Sequence, residues 1–283
     1  MDNRHVHTSN MNKGRIGFST FLFLGLIVCC IPRTENAQPL TAESSYEQLL
    51  WRGETVLTLS FIGDIMAHDV NYNRLPYEKI YHACTELLLQ DDYTFANLEF
   101  PICDDRPMSN YPLFNVHKQY VVSAIQSGIE VFSLANNHIT DQGKSGVRST
   151  CNTMNALRLQ YSVHFSGIRE TAETPFLPIT IHYKDLKIGF LAITGFLNNT
   201  FGAELVNVVP YQDSETRNQF LSVLNEQTKN YDLFIVSFHG GREYSSIPDQ
   251  EKLLFFIQMI QSGVHIVWAH HPHVLQPWFE LEH

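Results

Sequence analysis

The chain has 283 residues, 44% hydrophobic and 17% charged, which is enough apolar content for a core and for one domain of roughly 240 residues. A formal net charge of −10, with no basic stripe along the chain, argues against a nucleic-acid partner. The 14 histidines are many for this length, and many of them fall in a few short motifs.

In chain order, the polar and basic residues 1–15 carry Arg4, Lys13 and Arg15, and residues 16–31, IGFSTFLFLGLIVCCI, are continuously apolar. A basic leader before an apolar run of about 16 residues is an export-signal pattern, short for a membrane span of about 20. Residues 1–37 are therefore expected to be a signal peptide or an N-terminal membrane anchor. Met11 opens a tidier signal than Met1, TENAQ offers a cleavage segment, and Cys29 with Cys30 offers a lipoprotein site. A buried helix is the weaker alternative, since such helices seldom open a chain behind a basic leader. The expectation is an exported protein, extracytoplasmic or anchored in the cell membrane. Only Cys84, Cys103 and Cys151 follow, without C-x-x-C spacing, so neither a zinc knuckle nor a disulfide framework is expected.

From Thr55 onward apolar runs alternate with helical patterns. VLTLSFIGD reads as a strand, residues 76–90 as a helix behind Pro76, and YTFANLE as a second strand. KQYVVSAIQSG is a helix closed by Gly128, IEVFSLANN a third strand, and residues 143–159 a further helix. Residues 176–194 read as a hairpin turning at Lys184-Asp185. Ser214 is expected to cap the next helix, which is followed by the strand DLFIVSFHGG. A last helix, residues 248–263, precedes the last strand, VHIVWAHHPHV. Strands alternating with helices predict an α/β fold with a largely parallel sheet covered on its faces.

Five of these strands end on groups that bind cations. Asp64 follows the first, Asn97 and Glu99 end the second, Asn137 and His138 the third. His239 ends the fourth, and His270, His271 and His273 the fifth. In open α/β sheets the carboxyl ends of the strands line one crevice. Oxygen and nitrogen donors without thiolate suit manganese, iron or zinc, and two such ions make a hydrolytic site. Each motif alone has a plainer reading: an aspartate after a strand-ending glycine is usually a turn residue, and NNH could cap a helix. HHPH is harder to explain by packing, and the five in order make a shared site the better reading.

FIGDIM, FANLEFPI, VFSLANNHITDQG, FIVSFHGGREY and VHIVWAHHPHVLQP resemble the successive signatures of the CapA/PgsA family of poly-γ-glutamate capsule biosynthesis proteins. That family belongs to the calcineurin-like metallophosphoesterase superfamily, and the resemblance covers roughly residues 55–280. It implies a four-layer α/β/β/α sandwich over residues 55–283. It also implies a divalent metal centre, with two ions, held by Asp64, Glu99 or Asn97, Asn137, His239, His271 and His273. His138 is implied to contact the scissile group or to protonate the leaving group.

The chain departs from the pattern twice. Met66 stands where the superfamily has a histidine and His68 lies two residues beyond, so one metal position is expected to be weak or empty. The sequence ends at His283 without the further strands of the family, so an incomplete sheet is also expected. Two functions are compatible with these features. One is a metal-dependent hydrolase or transferase acting on a phosphoester or an amide-linked anionic polymer. The other is a non-catalytic subunit of a membrane synthase complex that binds the polymer or a lipid-linked intermediate.

Overall fold

The computed structural model describes residues 17–20, 26–31, 55–174 and 176–281. The chain divides into two compact units, residues 1–60 and 61–283. In the first, β1 (Gly17–Thr20) and β2 (Leu26–Ile31) form an antiparallel hairpin. β2 also pairs antiparallel with the opening of β3 (Thr55–Ile65), Leu26 opposite Ser60 and Ile31 opposite Thr55. Both hairpin strands fall in the predicted leader, whose residues 1–16, 21–25 and 32–37 lie outside the described residues. Among the described residues no helix is long and apolar enough to cross a membrane.

The second unit begins with three short helices, α1 (Asp69–Tyr72), α2 (Glu78–Tyr81) and α3 (Thr85–Leu88). Strand β4 (Tyr93–Leu98), α4 (Lys118–Gln126), β5 (Val131–Ser133), α5 (Gly143–Tyr161) and β6 (His164–Ser166) follow. β7 (Ile179–Tyr183) and β8 (Leu186–Thr194) then form the expected hairpin, with Lys184 at its turn in the left-handed region. Last come α6 (Ser214–Gln227), β9 (Leu233–His239), α7 (Gln250–Gln261) and β10 (Ile266–His270).

The strands make two sheets. β3 to β6 are neighbours in one, with β4, β5 and β6 parallel; the other runs β10-β9-β8-β7, parallel except for the edge strand β7. The two sheets pack face to face. Phe95 of β4 meets Phe190 of β8 and Trp268 of β10 edge-on, and the Ser237 hydroxyl of β9 donates to Ser133 of β5 at 2.9 Å. Strand periodicity then sends the alternate residues outward. Leu191, Ile193, Phe234, Val236 and Phe238 join Phe220 and Leu224 of α6 and Phe255 and Met259 of α7 in one buried cluster. Helices α4 and α5 bury Tyr120, Val121, Ala124, Val147, Met154 and Leu157. This is the four-layer α/β/β/α sandwich.

Local structure departs from the sequence reading in three places. The single helix expected over residues 76–90 is broken, because the Tyr81 carbonyl is taken by the Thr85 hydroxyl at 2.9 Å and the Cys84 thiol at 3.1 Å, a known competitor of the helical ladder. The cap of α6 is Asp213 rather than Ser214; its carboxylate accepts from the Thr216 N–H at 2.8 Å. β6 was not expected at all. It leads to Gly167 (φ 117°), where a Cβ would collide with the Ala135 backbone, so the loop carrying Asn136 and Asn137 approaches closely.

Candidate metal centre

The parallel strands of both sheets run toward the same end of the interface, so their carboxyl ends converge there. At this end the packing between the sheets changes from aromatic to polar: Ser133 and Ser237 first, then Asn97, His239 and His270, then Asp64, Glu99, His271 and His273 beyond the strands.

Asp64 is the hub. Its Oδ1 accepts from the Asn97 amide at 2.8 Å and lies 3.4 Å from His270 Nδ1 and 3.8 Å from His239 Nδ1. Its Oδ2 lies 3.2 Å from His273 Nδ1 and accepts the His271 backbone N–H at 3.1 Å. Burial pushes this carboxyl up, but the His273 hydrogen bond, the adjacent His270 and His239 rings and the Asn97 amide together hold it far below the carboxylate range. Glu99 behaves oppositely: burial, then repulsion from Asp64, raises its pKa well above the ordinary value. Burial drives His270 and His271 down to about 4 and His239 well below its usual value, while the hydrogen bond to Asp64 raises His273. Burial thus favours the neutral form of His239, His270 and His271.

The donor atoms of Glu99, His239 and His271 lie within 4.8 Å of one another, as do those of Asp64, Glu99 and His273 and those of Glu243, His271 and His273. Asn137 Oδ1 sits 2.7 Å from His239 Nε2. Two buried atoms here, Glu99 Oε1 and His271 Nδ1, have no hydrogen-bond partner among the described residues. An unpartnered buried carboxylate oxygen and imidazole nitrogen are costly, and a divalent cation satisfies both. The residues therefore fit a metal. His271 and His273 also take left-handed backbone, φ 99° and 55°, unusual for residues bearing a Cβ.

The run Asn136-Asn137-His138 divides into three tasks. The Asn136 amide bonds the Leu98 carbonyl at 2.7 Å and Asn97 Oδ1 at 3.2 Å, pegging the loop to β4. Asn137 faces His239. The His138 Nδ1 meets Asp141 Oδ2 at 2.8 Å, its ring stands edge-on to Phe114, and its Nε2 lies 3.5 Å from the Asn198 amide. Asp141 also accepts the Phe114 N–H at 2.8 Å.

All the sequence-derived candidates meet at this place, though Asn97 presents its amide N–H to Asp64, with its oxygen taken by Asn136. His68 packs edge-on to Phe114 and belongs to none of the donor groups among the described residues. Sequence reasoning missed Asp141 and Glu243, though both lie inside quoted motifs, and it left His270 without a task.

An α/β/β/α sandwich with acid, amide and imidazole side chains gathered at its strand ends is of the metallophosphoesterase-like class. Residues 58–281 match the family described as bacterial capsule synthesis protein PGA_cap, and the chain belongs to that family. It is 27% identical over 234 residues to the capsule biosynthesis protein CapA of Bacillus anthracis, covering 78% of this chain and 55% of that protein. It is 25% identical over 238 residues to the PGA biosynthesis protein CapA of Bacillus subtilis (strain 168), covering 79% of this chain and 59% of that protein. The chain thus spans between half and two thirds of the length of these relatives. The crystal structure of a hypothetical protein from Thermus thermophilus is similar over 76% of this chain and 68% of its own, at 16% identity and a TM-score of 0.42.

Proposed function

We propose that this protein is an exported, metal-dependent hydrolase of capsule biosynthesis, acting on a phosphoester or on an amide-linked anionic polymer such as poly-γ-glutamate. The observation that carries the reading is the pair of unpartnered buried atoms, Glu99 Oε1 and His271 Nδ1, inside a ring of neutral imidazoles and carboxylates. Asp64, Glu99, Asn137, His239, His271 and His273 would hold the metal, with Glu243 at the exposed side. Two ions of manganese, iron or zinc, when bound, would supply Lewis-acid polarisation of the scissile group and lower the pKa of water. Asp141 fixes the His138 ring through Nδ1, which leaves Nε2 to hand a proton to the leaving group. Asn198 lies on that same side of the ring.

The test is elemental analysis with turnover of a generic phosphodiester. Wild type is expected to carry up to two ions per chain, and His239→Ala combined with His273→Ala to carry none. His138→Ala is expected to keep its metal and to lose roughly 10²–10⁴-fold in turnover, the usual contribution of a positioned acid. Equal, near-zero metal in wild type and double variant would sink the reading. The second reading, an accessory subunit of a membrane synthase that binds polymer or a lipid-linked intermediate, is favoured by Met66 in place of a superfamily ligand. It predicts metal without turnover. Export rests on the basic leader and apolar run of residues 1–37: protease added to intact cells, with any outer layer made permeable, is expected to digest the domain, and full protection would contradict it.

A further inference from the structure

We propose that His270 is a positioning residue: it accepts the Nδ1–H of His239 and thereby turns the bare Nε2 of His239 toward Asn137, Glu99 and His271. The assignment rests on the metal-centre reading above and concerns a residue that the ligand motifs leave without a role.

The relay can be followed proton by proton. The Ser237 hydroxyl donates to Ser133 Oγ at 2.9 Å, and Ser237 Oγ lies 2.7 Å from His270 Nε2. With its one proton committed, Ser237 receives the Nε2–H of His270. A neutral imidazole has a single N–H, so Nδ1 of His270 is an acceptor. His239 Nδ1 is 2.7 Å away and must be the donor. The remaining nitrogen of His239, Nε2, is then a bare lone pair, 2.7 Å from Asn137 Oδ1 and 3.6 Å from the unpartnered Glu99 Oε1. On this proton count His239 Nε2 and Asn137 Oδ1 face one another without a proton between them, beside the unpartnered Glu99 Oε1, and that marks a place for a cation. Ser133, Ser237 and His239 are fully buried and His270 nearly so, which shields the relay from bulk solvent.

Asp64, His239 Nδ1 and His270 Nδ1 also lie close enough to share an ion. Asn97 argues against that arrangement. Its amide nitrogen is 2.8 Å from Asp64 Oδ1 and 3.4 Å from His239 Nδ1, so an N–H donor already occupies the space. The amide cannot turn without losing the Asn136 bond to its oxygen. Fixing a ligand imidazole through its second nitrogen is a general device of metal sites. Here the acceptor is another histidine, itself held by a serine pair that bridges the two sheets.

The experiment is nitrogen-15 NMR of the histidine rings in the full chain, without metal and then with Zn²⁺. The metal-free spectrum is expected to show His239 protonated at Nδ1 and His270 at Nε2, and Zn²⁺ to shift His239 Nε2. A proton on His239 Nε2, or direct coordination of Zn²⁺ by His270, overturns the proposal. A chain with the expected tautomers that takes up no Zn²⁺ instead overturns the metal-centre reading, so the two failures are distinct. His270→Leu is expected to weaken Zn²⁺ binding about 10–100-fold, and His270→Asn, which returns an oxygen acceptor near the Nδ1 position, to regain most of it. Equal affinity across wild type and both folded variants counts against the proposal. Should His270→Leu not fold, Ser237→Ala is expected to populate the second His239 tautomer, and a spectrum unchanged from wild type would overturn the relay.

Discussion

Strand β9 has two faces made from the same seven residues, and they do different work. Phe234, Val236 and Phe238 point into the helices α6 and α7, where they join a cluster of buried aliphatic and aromatic side chains. Leu233, Ile235, Ser237 and His239 point at the other sheet, and there the chemistry changes residue by residue from aliphatic to hydroxyl to imidazole. One face supplies the hydrophobic burial that holds the sandwich together; the other spends part of that stability on polar groups that need matched partners. Buried apolar faces tolerate shape errors of a methyl group, whereas a buried polar face fails when one proton is misplaced.

The sharpest way to break this comparison is at adjacent positions. Phe238 packs against Tyr211, Phe255 and Phe256, and Phe238→Ala should cost about 3–5 kcal/mol of unfolding free energy, read by urea or thermal melting, and take metal binding with it as the fold fails. His239→Ala, one residue on, should lose metal while leaving the apolar cluster intact. Equal stability losses in the two variants would mean that the faces do not divide as described. The His270 and Ser237 variants probe the polar face more finely, because they leave every proposed ligand in place.

Much of the candidate site was legible because these strand ends combine two visible signals, a buried apolar run and a cluster of side chains able to bind cations. Asp64, Asn137, His239 and His273 could be located that way. The partition into two sheets was not visible in the strand pattern, which looks the same for one large parallel sheet; packing between Phe95, Phe190 and Trp268 decides it. β6 has only three residues and no alternation long enough to read. The break after Tyr81 depends on two side chains bonding one carbonyl, which helical periodicity does not register. The relay from His239 to Ser133 joins residues more than a hundred positions apart, so nothing in any local window announces it.

The left-handed backbone at His271 has a consequence for how the protein fares in the cell. Residues with a Cβ held in such regions cost about 1–3 kcal/mol, kept only where the surroundings impose it. In the metal-free protein His271→Gly should therefore be more stable than His271→Ala by about 1 kcal/mol, the reverse of the order that glycine and alanine show at ordinary positions. Melting the two variants side by side checks this, and the ordinary order would refute it. An ion bound at this segment offsets the strain by mass action, and the chain without its ion sits closer to the threshold at which unfolded protein is degraded. The steady amount of this protein would then follow the supply of the proposed ion.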